Sequence, residues 1–453
     1  MKQHAKTKGS ALVGAIMLTL IAGTVVGGYF STALVEYKSS NRTLYLQSAM
    51  NLAESGLEEA MLAINTDEVG SWTAAGADGY FKDIDGIALA EGRVGRVRVY
   101  VEDFSSMPII VSEGRITDAN GREFFKQLRV DLRTRSLFAN GLTAKESVTF
   151  SGNNVQVDAY DSRNGIYDPL TNRIDEGSVA SVSVEVDSVS VSNGDIWGYA
   201  STGGAPPGVG PNGTIRGEDT PPGVDVDPDR VATDFTADFP SSEPPTSLTV
   251  DHTSLNVNNS TVIGTPGTQE VYHIGGLSMG GNKSLTIAND SDVVVIVDND
   301  FSMTGNSSLT IADGATLELH VAGDLNLAGN GVANLDASGH AKPPQTFQVF
   351  GTAPDGSSQS LAISGNGRLS SVVYAPNGAV SMNGGGNNGE VFGAVVGNTI
   401  TLNGNSRFHY DLALREFGSD GRFQIDFWRE LRGPSEQLNF DSVLDLVNDV
   451  GPL

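Results

Sequence analysis

The chain has 453 residues, enough for two or three domains, and its 55 glycines against 11 tyrosines favour turns and short strands. A formal charge of −26, with no basic patch laced with aromatics to offset it, repels phosphate backbones and excludes nucleic acid as a partner. The absence of cysteine removes disulfides, thiolate nucleophiles and cysteine-based zinc sites.

Residues 1–9, MKQHAKTKG, carry Lys2, Lys6 and Lys8 and no acid. The uncharged run Ser10 to Val35 follows, and then Glu36. At about 1.5 Å per residue, a helix over that run crosses a hydrocarbon core of about 30 Å. The lysines predict a cytoplasmic amino terminus and an exported remainder. The run is longer than the apolar region of a secretory signal peptide and leads straight into more helix. From Glu36 to Asn65, Leu46, Ala49, Ala53, Leu57, Ala60 and Ile64 recur at three- and four-residue steps, the stripe of an amphipathic helix. The spacing predicts one rod over 10–65. Gly23 and Gly27 in it either let two helices approach closely or are ordinary glycines of a membrane helix.

After Gly70 the period changes to two. Val97, Val99 and Val101 alternate with Arg96, Arg98 and Tyr100, and Leu128, Val130 and Leu132 with Gln127, Arg129 and Asp131. A small antiparallel meander over 66–135, packed on the base of the rod, is expected. Asp118 and Asn120 look like a fragment of a calcium loop, but without downstream ligands a hairpin turn accounts for them.

A second pattern fills 136–417. The phrases VTFSGN, LSMGGN, FSMTGN, LNLAGN, LAISGN and ITLNGN end at Asn153, Asn282, Asn306, Asn330, Asn366 and Asn405. Gly281, Gly305 and Gly329 are 24 apart and Gly365, Gly384 and Gly404 are 19 and 20 apart, and a short strand with a Gly-Asn corner recurring at such intervals predicts a parallel β-helix, a solenoid. Leu277 with Met279 and Phe301 with Met303 are its expected inward pairs. Stacking should align Asn282, Asn306, Asn330, Asn366 and Asn405 as a corner ladder, each amide bonding the next. A Pro/Gly-rich insertion over 197–245 interrupts the repeat, and its Asp225, Asp227 and Asp229 read as a solvated acidic turn. The remaining 418–453 predicts a strand and a tail, with a short helix from Phe440 to Val447 capping the open end of the solenoid.

No phosphate loop, nucleophile elbow or His-Glu-x-x-His motif is present, and His252, His273, His320, His340 and His409 are scattered without ligand spacing. Asp298 and Asp300 are expected to point the same way along a strand. Asp300 and Asp324 occupy equivalent repeat positions, where stacking would make them repel. Turn chemistry accounts for all three, so no catalytic residue, cofactor or metal is expected.

Two stretches carry a family resemblance. KTKGSALVGAIML resembles the leader junction, and AESGLEEA (Ala53 to Ala60) the helix signature, of PilX-type type IV pilus assembly proteins. VDAYDSRNGIYDP, PPGVDVDPDRVATDF, FHYDLALRE and FQIDFWREL look like phrases of the β-helical domain that accompanies such amino termini. The resemblance implies cleavage by a prepilin peptidase after Gly9, with Ser10 as the new amino terminus. It also implies a minor pilin with an inner-membrane span, partnered by other pilins or pseudopilins and an assembly platform, and acting in assembly, priming or adhesion. Gly14 stands where most prepilins carry a glutamate, which points to a tip or initiating position. The alternative is a stand-alone surface-anchored protein that binds or processes glycans. The fold class expected is α+β, mostly β: a long pilin-like helix, a meander, then a parallel β-helix.

Overall fold

The uncharged run and the apolar stripe form one helix, α1 (Ser10–Asn65), in the computed structural model of the protein. The structure describes residues 10–442 except 77–78, 103–107, 153–154, 366–367, 384–388, 405 and 441. A mostly-β body follows, with one antiparallel and one parallel sheet. The chain divides into two units, one of residues up to 135 together with 421 onward, the other of 136–420.

In the first unit, α1 changes character along its length. Side chains 12–40 are all exposed, whereas Ala49, Ala53, Leu57, Ala60, Ala63 and Ile64 are buried and Leu46 is half-buried. The helix is long and apolar enough, by length and composition, to cross a membrane. Its buried face lies on a sheet with strand order β1 (Thr73–Ala74), β2 (Gly79–Ala88), β3 (Val94–Glu102), β4 (Ile109–Thr117), β5 (Glu123–Ser136) and then Ser419–Leu431. The two-residue alternation places Val97, Val99, Val101, Ile110, Val130 and Leu132 under the helix in one core.

The alternate residues Arg98, Glu113 and Gln127 are direct cross-strand neighbours on the opposite face. All three are buried. Arg98 donates to Glu113 through Nε at 3.0 Å and Nη2 at 2.7 Å, and Gln127 Nε2 donates to the other carboxylate oxygen at 2.8 Å. The chain's tail covers this cluster. Gln127 exchanges two 2.9 Å hydrogen bonds with the backbone of Leu438, and the Phe440 ring lies 5.0 Å from the Arg98 guanidinium. Phe440 is buried with Phe81, Val111 and Leu431. The expected cap is thereby corrected: the described tail packs in the antiparallel unit and not on the parallel one, because a buried charge cluster there needs covering. The rest of the expected 440–447 helix, residue 441 and 443 onward, lies outside the described residues.

In the second unit the strands are parallel and in register. Leu277 pairs with Phe301 and Phe301 with Leu325, and Met279 with Met303 and Met303 with Leu327, at steps of 24 residues. These side chains fill one continuous apolar interior. The order of stacking departs from the order of the sequence. One column of strands runs Gln269–Ile274, Asp292–Val297, Thr316–Val321, Phe347–Gly351, Arg368–Asn383 and Glu390–Leu402. It continues through β6 (Leu142–Phe150), then Gly177–Ser181, Asp195–Thr202 and Val231–Ala232. Alongside, β7 (Gln156–Tyr160) lies between Arg407–Asp411 and Asp195–Thr202. The earliest strands of the unit are therefore docked onto its last ones.

This order corrects the insertion expected at 197–245. Much of that stretch is paired strand, including Asp195–Thr202, Thr214–Arg216 and Val231–Ala232, which alternate without the Gly-Asn phrase. The irregular chain is 233–260, which connects one end of the stack to the other. Phe235 bonds Thr202, the Lys145 ammonium lies over Phe239, Pro240 accepts from Tyr374, and Leu248 packs on Val271 and Val294. Each contact is further along the column than the last. Nine steps of about 4.8 Å are roughly 43 Å, well within the roughly 90 Å that so many extended residues can reach.

Candidate functional site

Three constellations carry chemistry. On the helix face, contact is set by small residues. A Cβ on Gly114 would overlap the Ala49 carbonyl oxygen, and one on Gly56 would overlap Ser112 Oγ. Ser112 Oγ donates to the Ala53 carbonyl at 2.7 Å. The AESGLEEA stretch thus supplies Ala53, Gly56, Leu57 and Ala60 as the surface on which helix and sheet touch. Gly14, Gly23 and Gly27 lie on the exposed half, where an added Cβ would meet nothing within 4 Å. Ser10 begins α1, and Gly9 lies outside the described residues.

At the corners of the parallel stack, Asn306 Nδ2 donates to Asn282 Oδ1 at 3.2 Å and Asn330 Nδ2 to the Asn306 carbonyl at 3.0 Å. Gly281 and Gly305 beside them hold the left-handed backbone that the corner requires. Asn366 and Asn405 lie outside the described residues. The aspartates differ from expectation. Asp298 and Asp300 are not on a strand, since Asp292–Val297 ends before them. Asp298 pairs with His273 at 2.8 Å. Asp300 Oδ1 accepts the Asp324 N–H at 2.9 Å, and Asp324 Oδ1 accepts the Ser360 N–H at 2.9 Å. Each carboxylate caps the next level's backbone instead of facing the next carboxylate. In the irregular turn, Asp227 accepts from Thr220 Oγ1 and from the Asp229 N–H, and these donors lower its pKa.

The third constellation joins two of the quoted phrases. His409 and Asp158 are register neighbours on adjacent parallel strands, both nearly fully buried. Asp158 Oδ1 is 2.5 Å from His409 Nδ1, while Oδ2 accepts from Tyr167 Oη at 2.8 Å and lies 2.9 Å from Arg173 Nε. Tyr167 covers the His409 ring at 3.9 Å between centroids. Burial, and then the Asp158 charge, push the Tyr167 phenol well above its ordinary range. Asp158 thus pins the 161–176 segment over the outer face of the strands. His409 Nε2 is enclosed with no partner among the described residues. A His-Asp pair orients a general base only where the second nitrogen reaches a substrate, and here rings cover it.

Beside this roof opens a cleft of about 230 Å³, lined by Tyr160, Tyr167, Phe392, His340, Arg368 and Glu390, among others. Tyr160 and Tyr167 each meet Phe392 edge-on at 5.8 Å. Arg368 Nε donates to Glu390 Oε2 at 2.6 Å and Nη1 to the Gly339 carbonyl at 2.9 Å, tying down the neighbouring loop. His340 Nδ1 is 3.2 Å from Asp336, whose pKa is lowered chiefly by the His340 backbone N–H. The sequence marks Asp158, Tyr160, Tyr167 and His409 only as parts of the family phrases and His340 only as a scattered histidine, and it singles out none of Arg173, Arg368, Glu390 and Phe392. The pairing of residue 158 with residue 409 leaves no local signal.

A family profile described as a domain of unknown function, DUF7305, matches residues 231–417, less than half of the chain. Neither a curated protein nor a solved structure matches the chain.

Proposed function

We propose that the protein is a membrane-anchored minor pilin-like component of a type IV pilus or a type II secretion pseudopilus, of the PilX type. The observation that carries this reading is the division of α1. Its side chains 12–40 are all exposed among the described residues, while the 46–64 stripe is held on an antiparallel sheet. An apolar stretch left bare of its own fold needs a bilayer or neighbouring helices to cover it. The lysines of 1–9 favour a cytoplasmic amino terminus and an exported body at the inner membrane or on a filament. The 24-residue parallel register supports reading the second unit as a β-helix displayed outside the cell. Gly14, in place of a filament acid, favours a tip or initiating position. A prepilin peptidase, other pilins and the assembly platform are the partners this implies.

The test combines processing and shearing. The mature protein should begin at Ser10 by intact mass, Gly9→Val should retain the leader, and the wild type should travel with sheared filaments. Retention of the leader by the wild type, or of the mature protein by membranes after shearing, would favour a stand-alone surface anchor instead.

A further inference from the structure

We propose that the cleft between the 161–176 roof and the His340 loop is a binding site for one neutral sugar residue. Pockets for drug-sized ligands run about 300–1,000 Å³, so 230 Å³ accommodates a single ring-sized group. Its walls combine the apolar rings of Tyr160, Tyr167 and Phe392 with the polar heads of Arg368, Glu390 and His340. That mixture fits a sugar, which presents C–H faces to rings and hydroxyls to polar groups.

Charge narrows the class. Arg368 and Glu390 neutralise one another at 2.6 Å, so an ionic ligand would find no uncompensated countercharge in that pair. An acidic sugar is further disfavoured by a chain of net charge −26. The pair also leaves complementary atoms side by side. Among the described residues, Arg368 Nη2 has no acceptor and Glu390 Oε1 has no donor. A hydroxyl both donates and accepts, so two vicinal hydroxyls satisfy such a pair together. The site is preformed, because Arg368 holds the Gly339 carbonyl and Asp158 holds Tyr167.

The probes are methyl glycosides of glucose, galactose, mannose and N-acetylglucosamine, with methyl glucuronide as the charged comparison, added to the full chain in detergent micelles. Saturation-transfer NMR should detect at least one neutral glycoside with a Kd of about 1–10 mM. Ile166 lines the cleft and is half exposed, so Ile166→Trp fills it without disturbing the core. Ile166→Trp and the nearly isosteric Glu390→Gln should each weaken binding about tenfold or more, with unchanged thermal midpoints showing that both fold. No transfer to any neutral glycoside, equal transfer to the glucuronide, or binding indifferent to both variants would overturn the assignment. Shearing and leader processing do not bear on this cleft, so either proposal can fail alone.

Discussion

Gly114 decides how closely α1 lies on its sheet. Its missing Cβ leaves room for the Ala49 carbonyl, and the buried row Ala49, Ala53 and Ala60 lets the backbones approach. Gly114→Ala should therefore lift the helix and destabilise the antiparallel unit by about 1–3 kcal/mol. Urea unfolding followed by tryptophan fluorescence measures this, and an unchanged midpoint would show that the contact is loose. Asp411 makes a second prediction. Burial is the main cause that raises its pKa, outweighing the hydrogen bonds from Ser162 and Ala413 N–H, and its Oδ2 is buried with no partner among the described residues. The folded protein thus binds this proton more tightly than the unfolded chain, where the group titrates near about 3.9. The stabilisation is complete below that value and is lost as pH rises through the raised folded pKa. Relative to Asp411→Asn, the wild type should gain thermal stability as pH falls from about 7 toward about 4. A difference in melting temperature that is flat with pH would contradict it.

Among elements, those with a local period were legible in the sequence and those with a distant partner were not. The helix stripe, the Val97–Val101 alternation and the Gly-Asn corners each repeat within one element or between neighbours, so the bare sequence reveals them. The docking of β6 on Glu390–Leu402, of β7 on Arg407–Asp411, and of the tail on Gln127 joins residues with no shared period. The same holds for the site, where Asp158 and His409 meet only through that docking. The joint can be broken selectively. A Cβ on Gly152 would overlap the Gly404 carbonyl at the corner where the early strands meet the late ones. Each strand of the column pairs with the strands beside it, so damage at one joint is expected to stay near that joint. Gly152→Val should accelerate amide exchange across 142–232 while 261–365 keep their protection, measured by hydrogen-exchange mass spectrometry. Uniform acceleration would mean that the stack unfolds as one body.

Across the whole molecule, the parallel unit is an insertion between two neighbouring strands of the antiparallel sheet. The chain leaves that sheet at the end of β5 and returns in Ser419–Leu431 beside it. Two ion pairs, Lys126 with Glu430 and Arg133 with Asp426, fall in opposite order along the strands, which fixes them as antiparallel. Within the parallel unit the two ends are fastened together. Ser136 Oγ donates to the Leu414 carbonyl at 2.8 Å, Leu137 N–H to that of Gly418 at 3.2 Å, and Phe138 stacks on Phe417. The mechanical consequence concerns load. Tension drawn through the parallel unit enters the sheet at the adjacent ends of two paired strands and pulls both together. Such a pull is expected to load the β4–β5 ladder in shear along its length instead of peeling one strand from the other.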